Sequence, residues 1–515
     1  MANGRLKNAK RNIIGALGHR VVSLVFPFVL RTVMIYHMGA LYMGLSGLFT
    51  SILQVLSLAE LGIGEAMIFS MYEPIAQEDT DKICALLNLY KKIYRIIGIG
   101  VLIVGLCLVP FLGHLIKGTI PKDVNIYWLY VIYLLNTVIS YLLYGYRTSI
   151  FIANQRYDIK NKISIITSGL LYVLQIIVII TTKNYNLYCI LIPIITVIDN
   201  VIVNIVAREK YPELYAHGNI DKSLKNDIGK RVMGLFIYKI CGVFRNSFDS
   251  IIISAFLGLV ILTKYQNYYY IITMLIGILG IITSSVTAGI GNSIVLESVE
   301  KNHKDFEKFQ FIYMWLVSWC TTCLFCLYQP FMALWVGHDL MFSDNVMMIF
   351  CIYFFTSQMG NVCFTYRQAV GLWWQDKVRP LIEASVNLIL NIILVKYMGV
   401  IGVLISTIIC LVFINCVWGS KILYKYYFTK EKIKFYLLKI LFWFFITAIS
   451  MLITSQMCYF INASDVCGLL YKLVICVVIP NIIILVVSKV LPEHDYAINF
   501  AIKDIIGLKQ LRLRR

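Results

Sequence analysis

Residues 400–424 read VIGVLISTIICLVFINCVWGSKILY, with one charged side chain, Lys421, near the end. About 20 largely apolar residues wound as a helix cross the hydrocarbon core of a bilayer, and this stretch is long enough to do so. Working outward, comparable segments recur along the whole chain. Fourteen spans are expected, over residues 12–38, 42–70, 86–115, 124–152, 160–182, 186–208, 228–258, 261–297, 306–334, 343–371, 378–397, 400–424, 435–459 and 466–490. The composition of the 515 residues agrees, with 59% apolar and 14% charged side chains and a mean hydropathy of +0.78. The fold class read from this pattern is an all-α polytopic membrane protein.

The net charge of +19 suggests a nucleic-acid partner until its distribution is considered. With the N-terminus placed inside, the outer loops carry Lys117, Lys122, Lys183, Lys264 and Lys396, and the spans hold Arg31, Lys239, Arg245 and Lys472. The other 37 of the 46 Lys and Arg fall on inner segments and their flanks. That is the positive-inside pattern, so the charge records topology, with both termini cytoplasmic, and no nucleic-acid partner is expected. The basic N-terminus precedes an apolar stretch interrupted by Arg20, Pro27 and Arg31 without a small-residue cleavage site, which reads as a retained first helix. The 14 Cys are scattered without paired spacing and read as reduced core residues. Cys320, Cys323 and Cys326 have ligand-like spacing, but no His or carboxylate stands near them in sequence, so no metal site is expected.

The chain also matches itself. Gly15, Arg20 and Gly39 correspond to Gly234, Lys239 and Gly258. Leu61-Gly62-Ile63-Gly64-Glu65-Ala66 answers Ala288-Gly289-Ile290-Gly291-Asn292-Ser293. Pro110-Phe111, Tyr146-Arg147 and Gln155 recur as Pro330-Phe331, Tyr366-Arg367 and Gln375, at an offset of 220 residues. Ordered matches of this kind argue for duplication. Six helices per copy return the chain to the same side, which makes the halves parallel repeats. The expected organisation is a six-helix lobe over 1–210, a cytoplasmic linker over 211–227, a second six-helix lobe over 228–427, two additional helices over 428–490, and a basic cytoplasmic tail over 491–515.

Residues 21–98, with Phe26-Pro27-Phe28, Arg31-Thr32, Ser57-Leu58-Ala59-Glu60-Leu61-Gly62-Ile63-Gly64 and the run from Met71-Tyr72-Glu73-Pro74 to Tyr94-Arg95, resemble a Wzx-type polysaccharide flippase. The stretch Tyr366-Arg367-Gln368-Ala369-Val370-Gly371-Leu372-Trp373, continuing through Asp376, Pro380 and Asn387, resembles the second half of that family. The resemblance implies the fold of the multidrug/oligosaccharidyl-lipid/polysaccharide exporter superfamily, with two six-helix lobes around a central cavity. Fourteen helices also resembles the lipid II flippases of that superfamily, whose two extra helices form a groove for the lipid tail.

Ionisable side chains within spans are costly and by default face a cavity or a partner. Arg20 and Arg31 lie on one stripe of the first helix with Pro27; the matching stripe of the seventh reads Lys239, Asn246 and Ser250. Arg245 precedes Asp249 by four residues, a spacing that allows an intrahelical ion pair. Arg147 and Arg367 occupy equivalent positions near the inner ends of helices 4 and 10, where interfacial anchoring is the plainer reading. Guanidinium and ammonium groups suit phosphate oxygens. Arg31, Lys239 and Arg245 are therefore the candidates for pyrophosphate contact, with Arg20, Arg147 and Arg367 guiding the substrate from the cytoplasmic side. Acids within spans are fewer: Glu60, Glu65, Asp199, Asp249 and Glu383. Glu383, Asn387 and Asn391 share a helix face; with Asp249, and with Glu60 as a further carboxylate, they are the candidates for holding a coupling Na+ or H+, helix-packing hydrogen bonds being the alternative.

The function expected is a flippase moving a polyprenyl-pyrophosphate-linked oligosaccharide across the bacterial cytoplasmic membrane for cell-surface polysaccharide assembly, by alternating access of two lobes. It needs no catalytic residue and no cofactor beyond a coupling ion. Its expected partners are the lipid-linked oligosaccharide, membrane lipids, and the polymerase and glycosyltransferases of the same pathway. The alternatives are a cation-coupled multidrug exporter, which predicts an acidic cavity, a lipid II flippase, and a membrane glycosyltransferase or polymerase. The last is disfavoured because the outer loops are short and the acids assigned outside are only Asp123, Asp339, Asp344 and Asp465.

Overall fold

The computed structural model describes residues 2–60, 62–429, 432–461 and 465–500. Among these it is helical with no strand. Residues 501–515, most of the expected basic tail, lie outside the described residues, as do the side chains of Lys239 and Arg245. The helices of the first half are α1 Ala2–His37, α2 Ala40–Leu56, α3 Ile63–Ala76, α4 Thr80–Leu108, α5 Ile126–Leu142, α6 Thr148–Ala153, α7 Tyr157–Thr182, α8 Tyr185–Lys210 and α9 Lys222–Leu257. Those of the second are α10 Leu259–Leu296, α11 Val299–Val336, α12 Asp344–Met359, α13 Asn361–Val370, α14 Trp373–Asp376, α15 Val378–Met398, α16 Val400–Ile409, α17 Gly419–Tyr426, α18 Ile433–Tyr459, α19 Val466–Val487 and α20 His494–Phe500. A π-helical stretch, Cys410–Trp418, joins α16 to α17.

Among the described residues, eleven helical segments are long and apolar enough to cross a membrane, and twelve when the bent pair Ile126–Leu142 and Gly145–Ala153 counts as one span. Ala40–Leu56 and Ser247–Leu257 are shorter apolar helices. Each of the fourteen expected spans falls on one of these stretches, and the chain is a multi-pass, all-helical membrane protein.

Two expected spans are not straight. Residues 42–70 form α2, a 3-10 turn over Ser57–Glu60, and α3. The break has a local cause: Gly62 adopts φ 87, a left-handed conformation that glycine tolerates and other residues resist, and it caps α3. The repeat-related stretch around Gly289 stays inside the continuous helix α10. The span over 124–152 bends by 50° between α5 and the helical segment that follows.

By packing, the chain divides into two compact units, Met1–Thr263 and Lys264–Arg515. This boundary lies past the one read from the repeat, because α9, the first helix of the second repeat, packs with the first unit. Ser247 Oγ donates to Gln54 Oε1 of α2 at 3.1 Å, and Thr263 Oγ1 donates to the carbonyl of Ala40 at 2.6 Å.

In the second unit α11 is the central strut. Thr447 Oγ1 of α18 donates to Ser318 Oγ at 2.8 Å, and Thr322 Oγ1 donates to Ser450 Oγ at 3.1 Å. From α11, Trp315 Nε1 donates to Asn481 Oδ1 at 2.7 Å and Trp319 Nε1 to the Cys476 carbonyl at 2.8 Å, both on α19. Small hydroxyl residues let helices approach closely, and in hydrocarbon interhelical hydrogen bonds supply association that hydrophobicity cannot.

Candidate functional site

The helix break at Gly62 creates the most elaborate polar arrangement of the first unit. It sets Glu60 on an irregular turn facing a cavity of about 1040 Å³, whose wall includes Gln54, Glu65, Tyr90, Tyr94, Asn136 and Tyr188. Tyr90 and Tyr94 are four residues apart on α4 and so share a face. Tyr94 donates to Glu60 Oε1 at 2.5 Å, Tyr141 of α5 donates to Oε2 at 2.6 Å, and Tyr90 donates to the Tyr94 hydroxyl at 2.8 Å. The rings pack edge to face, with centroids 4.4 Å apart for Tyr90–Tyr94 and 5.4 Å for Tyr94–Tyr141. Both oxygens of Glu60 thus accept hydrogen bonds and are held at the wall. Irregular backbone at membrane depth is tolerated where it lines a cavity, and broken helices mark ligand and ion sites in transporters. Chemically, the cavity offers carboxylate, hydroxyl, amide and aromatic surfaces, suited to hydroxyl-rich or cationic groups.

Of the cations expected at the site, the four whose side chains are described, Arg20, Arg31, Arg147 and Arg367, do not line this cavity. Among the described residues, the charged groups on the cavity wall are Glu60 and Glu65. Arg31, half-buried on α1, lies close enough to Tyr188 to interact electrostatically. Arg20 is exposed. Lys239 and Arg245 lie outside the described side chains, whereas Asp249 is buried. Arg147 is buried away from this cavity, at the end of the unit where the linker to α9 runs. Asp199 is engaged by Lys160 Nζ at 2.6 Å and by Thr167 Oγ1 at 2.9 Å.

Arg367, Glu383 and Asn387 belong instead to a buried network in the second unit, with Arg379 at its centre. Arg379 Nε and Nη2 donate to the two Asp376 oxygens at 2.6 and 3.0 Å, and Nη1 donates to Glu383 Oε2 at 2.8 Å. Arg367 Nη1 reaches Asp376 Oδ1 at 3.4 Å, and Asn415 Nδ2 donates to Glu383 Oε2 at 3.2 Å. Farther along α15, Asn387 donates to Thr407 Oγ1 at 3.0 Å and accepts from Asn391 at 3.3 Å, while Ser406 donates to Asn391. Two buried arginines and two buried carboxylates balance, which is what low dielectric demands. The side chains of the Glu383–Asn387–Asn391 face thus hydrogen-bond to protein partners. Gly419 permits this arrangement, because a Cβ there would lie 2.4 Å from Arg367 Nη1.

Sequence spacing gave no sign of a third cluster. Cys326 of α11 meets Cys458 of α18 and Cys476 of α19, all buried, with their sulfurs within 4.8 Å of one another. No His or carboxylate joins them among the described residues, and Cys320 is not part of the group. Convergence of three helices brings these thiols together.

With this geometry in place, the chain compares with solved structures. It aligns with the lipid II flippase MurJ in an inward closed conformation with a TM-score of 0.66 and 16% identity, over 93% of this chain and 99% of the other. It aligns with a multidrug resistance MATE family transporter of the MOP superfamily in its inward-facing conformation with a TM-score of 0.61 and 13% identity, over 79% of this chain and 97% of that one. An outward-facing transporter of the same description gives 0.54 and 15%, over 81% and 94%. No protein-family model matches the sequence, and no curated protein matches it either. At these identities the likeness is one of fold: the chain has the fold shared by these transporters and this flippase.

Proposed function

We propose that the protein is a flippase for a polyprenyl-pyrophosphate-linked oligosaccharide in a bacterial cytoplasmic membrane, working by alternating access with both termini cytoplasmic and without covalent chemistry. The observation that carries this reading is the extent of the likeness. The flippase alignment takes in 93% of the chain, whereas the two multidrug transporters above take in 79% and 81%. The resemblance of residues 21–98 and 366–387 to polysaccharide flippases points the same way, and a wall of tyrosines, amides and hydroxyls suits a glycan. Arg31, Lys239 and Arg245 are the proposed pyrophosphate contacts.

One observation favours a second reading. The charged groups described on the wall of the large cavity are carboxylates, the polarity expected of a cation-coupled multidrug exporter of the same fold. Glu60 is then the residue that holds the ion or the drug. Reconstituted protein separates the two: flippase activity moves lipid-linked oligosaccharide between leaflets, and exporter activity accumulates an organic cation against a Na+ or proton gradient. Accumulation of the cation without movement of the lipid would favour the second reading.

A further inference from the structure

Arg147 is 5% exposed, and among the described residues neither its Nε nor its Nη1 has a hydrogen-bond partner. An unpaired guanidinium at that depth is costly, since desolvation is not offset by any opposite charge. Its repeat equivalent Arg367 is buried as deeply, at 3%, but is paired with Asp376. At the constant offset of 220 the position matching Asp376 is Arg156, which turns aside to Asp158 at 2.9 Å. The first repeat therefore keeps the buried arginine and lacks the carboxylate that neutralises it in the second.

Arg147 lines a pocket of about 410 Å³ together with Lys91, Arg95, Arg208, Tyr144 and Tyr215. Among the described lining residues four are cations and none is an acid, and no ion pair holds any of the four among the described residues. The linker completes a fixed wall. Asn88 Nδ2 of α4 donates to the Gly218 carbonyl at 2.7 Å, Lys92 Nζ donates to Asn219 Oδ1 at 3.3 Å, and Tyr215 stacks on His217 with centroids 4.2 Å apart.

We propose that this pocket binds a phosphate group, with Arg147 as the buried anchor and Lys91, Arg95 and Arg208 as the surrounding charges. A phosphate or pyrophosphate presents several anionic oxygens that a guanidinium and neighbouring cations satisfy together, and the volume accommodates a pyrophosphate or a lipid headgroup. The ligand supplies the negative charge that Asp376 supplies in the other repeat. The inference rests on the pocket itself and gives the phosphate-guiding role expected of Arg147 from sequence a defined site.

The test uses the full-length protein in zwitterionic nanodiscs. Pyrophosphate binding is read by calorimetry, and retention of phosphatidic acid added to the bilayer is read by native mass spectrometry. Each is compared for wild type, Arg147→Gln, the exposed-rim double variant Arg95→Gln/Arg208→Gln, and a distant control, Lys183→Gln. Loss of a charged hydrogen-bonding partner should weaken binding by about tenfold or more, in both site variants and not in the control. Arg147-dependent binding of pyrophosphate assigns the site to free phosphates, and the same dependence for phosphatidic acid alone assigns it to a lipid headgroup. Should Arg147→Gln fail to fold, the exposed double variant decides. Failure of wild type to bind either probe, or equal binding by the folded site variants and wild type, overturns the proposal.

Discussion

Replacing Arg379 by Met removes three hydrogen bonds at 2.6, 3.0 and 2.8 Å from a side chain that is 3% exposed. Asp376 and Glu383 are left in the second unit with Arg367 as the remaining cation, 3.4 Å from Asp376. One buried carboxylate is then uncompensated, and breaking a buried pair in this way costs about 3–5 kcal/mol. Removing Lys301 from its exposed pair with Glu297 should cost about 0–1 kcal/mol, although that contact is also 2.6 Å. Burial, not distance, sets the difference. The double variant Arg379→Met/Glu383→Gln restores the charge balance and should recover at least half the loss. The assay is unfolding of the purified protein followed by tryptophan fluorescence, with Trp443 buried in the same unit as one reporter. A single variant no less stable than Lys301→Ala, or a double variant no better than the single, would refute the argument that neutrality holds this cluster together.

Gly419→Ala should destabilise the second unit by about 1–3 kcal/mol through its clash with Arg367 Nη1, whereas Gly280→Ala, with nothing within 4 Å of its added Cβ, should be neutral or stabilising by up to about 1 kcal/mol; melting curves compare them. Glu60→Gln keeps the shape of the cavity wall but loses the charge that Tyr94 and Tyr141 grip, so the folded protein should lose coupling to a Na+ or proton gradient; undiminished ion dependence in vesicles would remove Glu60 from that role. Arg31→Ala should abolish glycan export at normal protein abundance and Arg31→Lys should retain part of it, as measured in cells. In a Cys-less background, Thr119→Cys should react with an impermeant thiol reagent from outside intact cells and Lys222→Cys only after the membrane is opened; the reverse pattern would invert the proposed topology.

The sequence was most legible where the signal is long and one-dimensional. Apolar length located the helices, eleven or twelve of them long enough to cross a membrane among the described residues, because a bilayer imposes it on each helix separately. The break at Gly62 was not legible in that way, since residues 42–70 stay apolar through it. Gly62-Ile63-Gly64 drew notice as half of a repeat, yet the matching Gly289 stays within a continuous helix, so the motif alone does not specify a break. Placement of the charges depended on long-range packing. Arg147 and Arg367 look equivalent in sequence, and only the structure shows that Asp376 pairs with Arg367 while Arg156, at the matching position, turns to Asp158. Arg379, the centre of the second-unit network, sits at the edge of an apolar run and drew no notice in the sequence. The Cys326–Cys458–Cys476 group joins helices far apart in the chain, which no local spacing encodes.

The central claim is tested most directly by reconstituting the protein in liposomes that carry a fluorescent polyprenyl-pyrophosphate oligosaccharide in one leaflet, and following its exposure to an impermeant quencher on the other side. The account predicts protein-dependent movement that Arg31→Ala abolishes and that accelerates when the donor side is made electrically negative, because a pyrophosphate diester carries about two negative charges and each gains about 2.3 kcal/mol per 100 mV. Movement no faster than in protein-free liposomes, with an organic cation accumulating in the same vesicles under a Na+ or proton gradient, would contradict it.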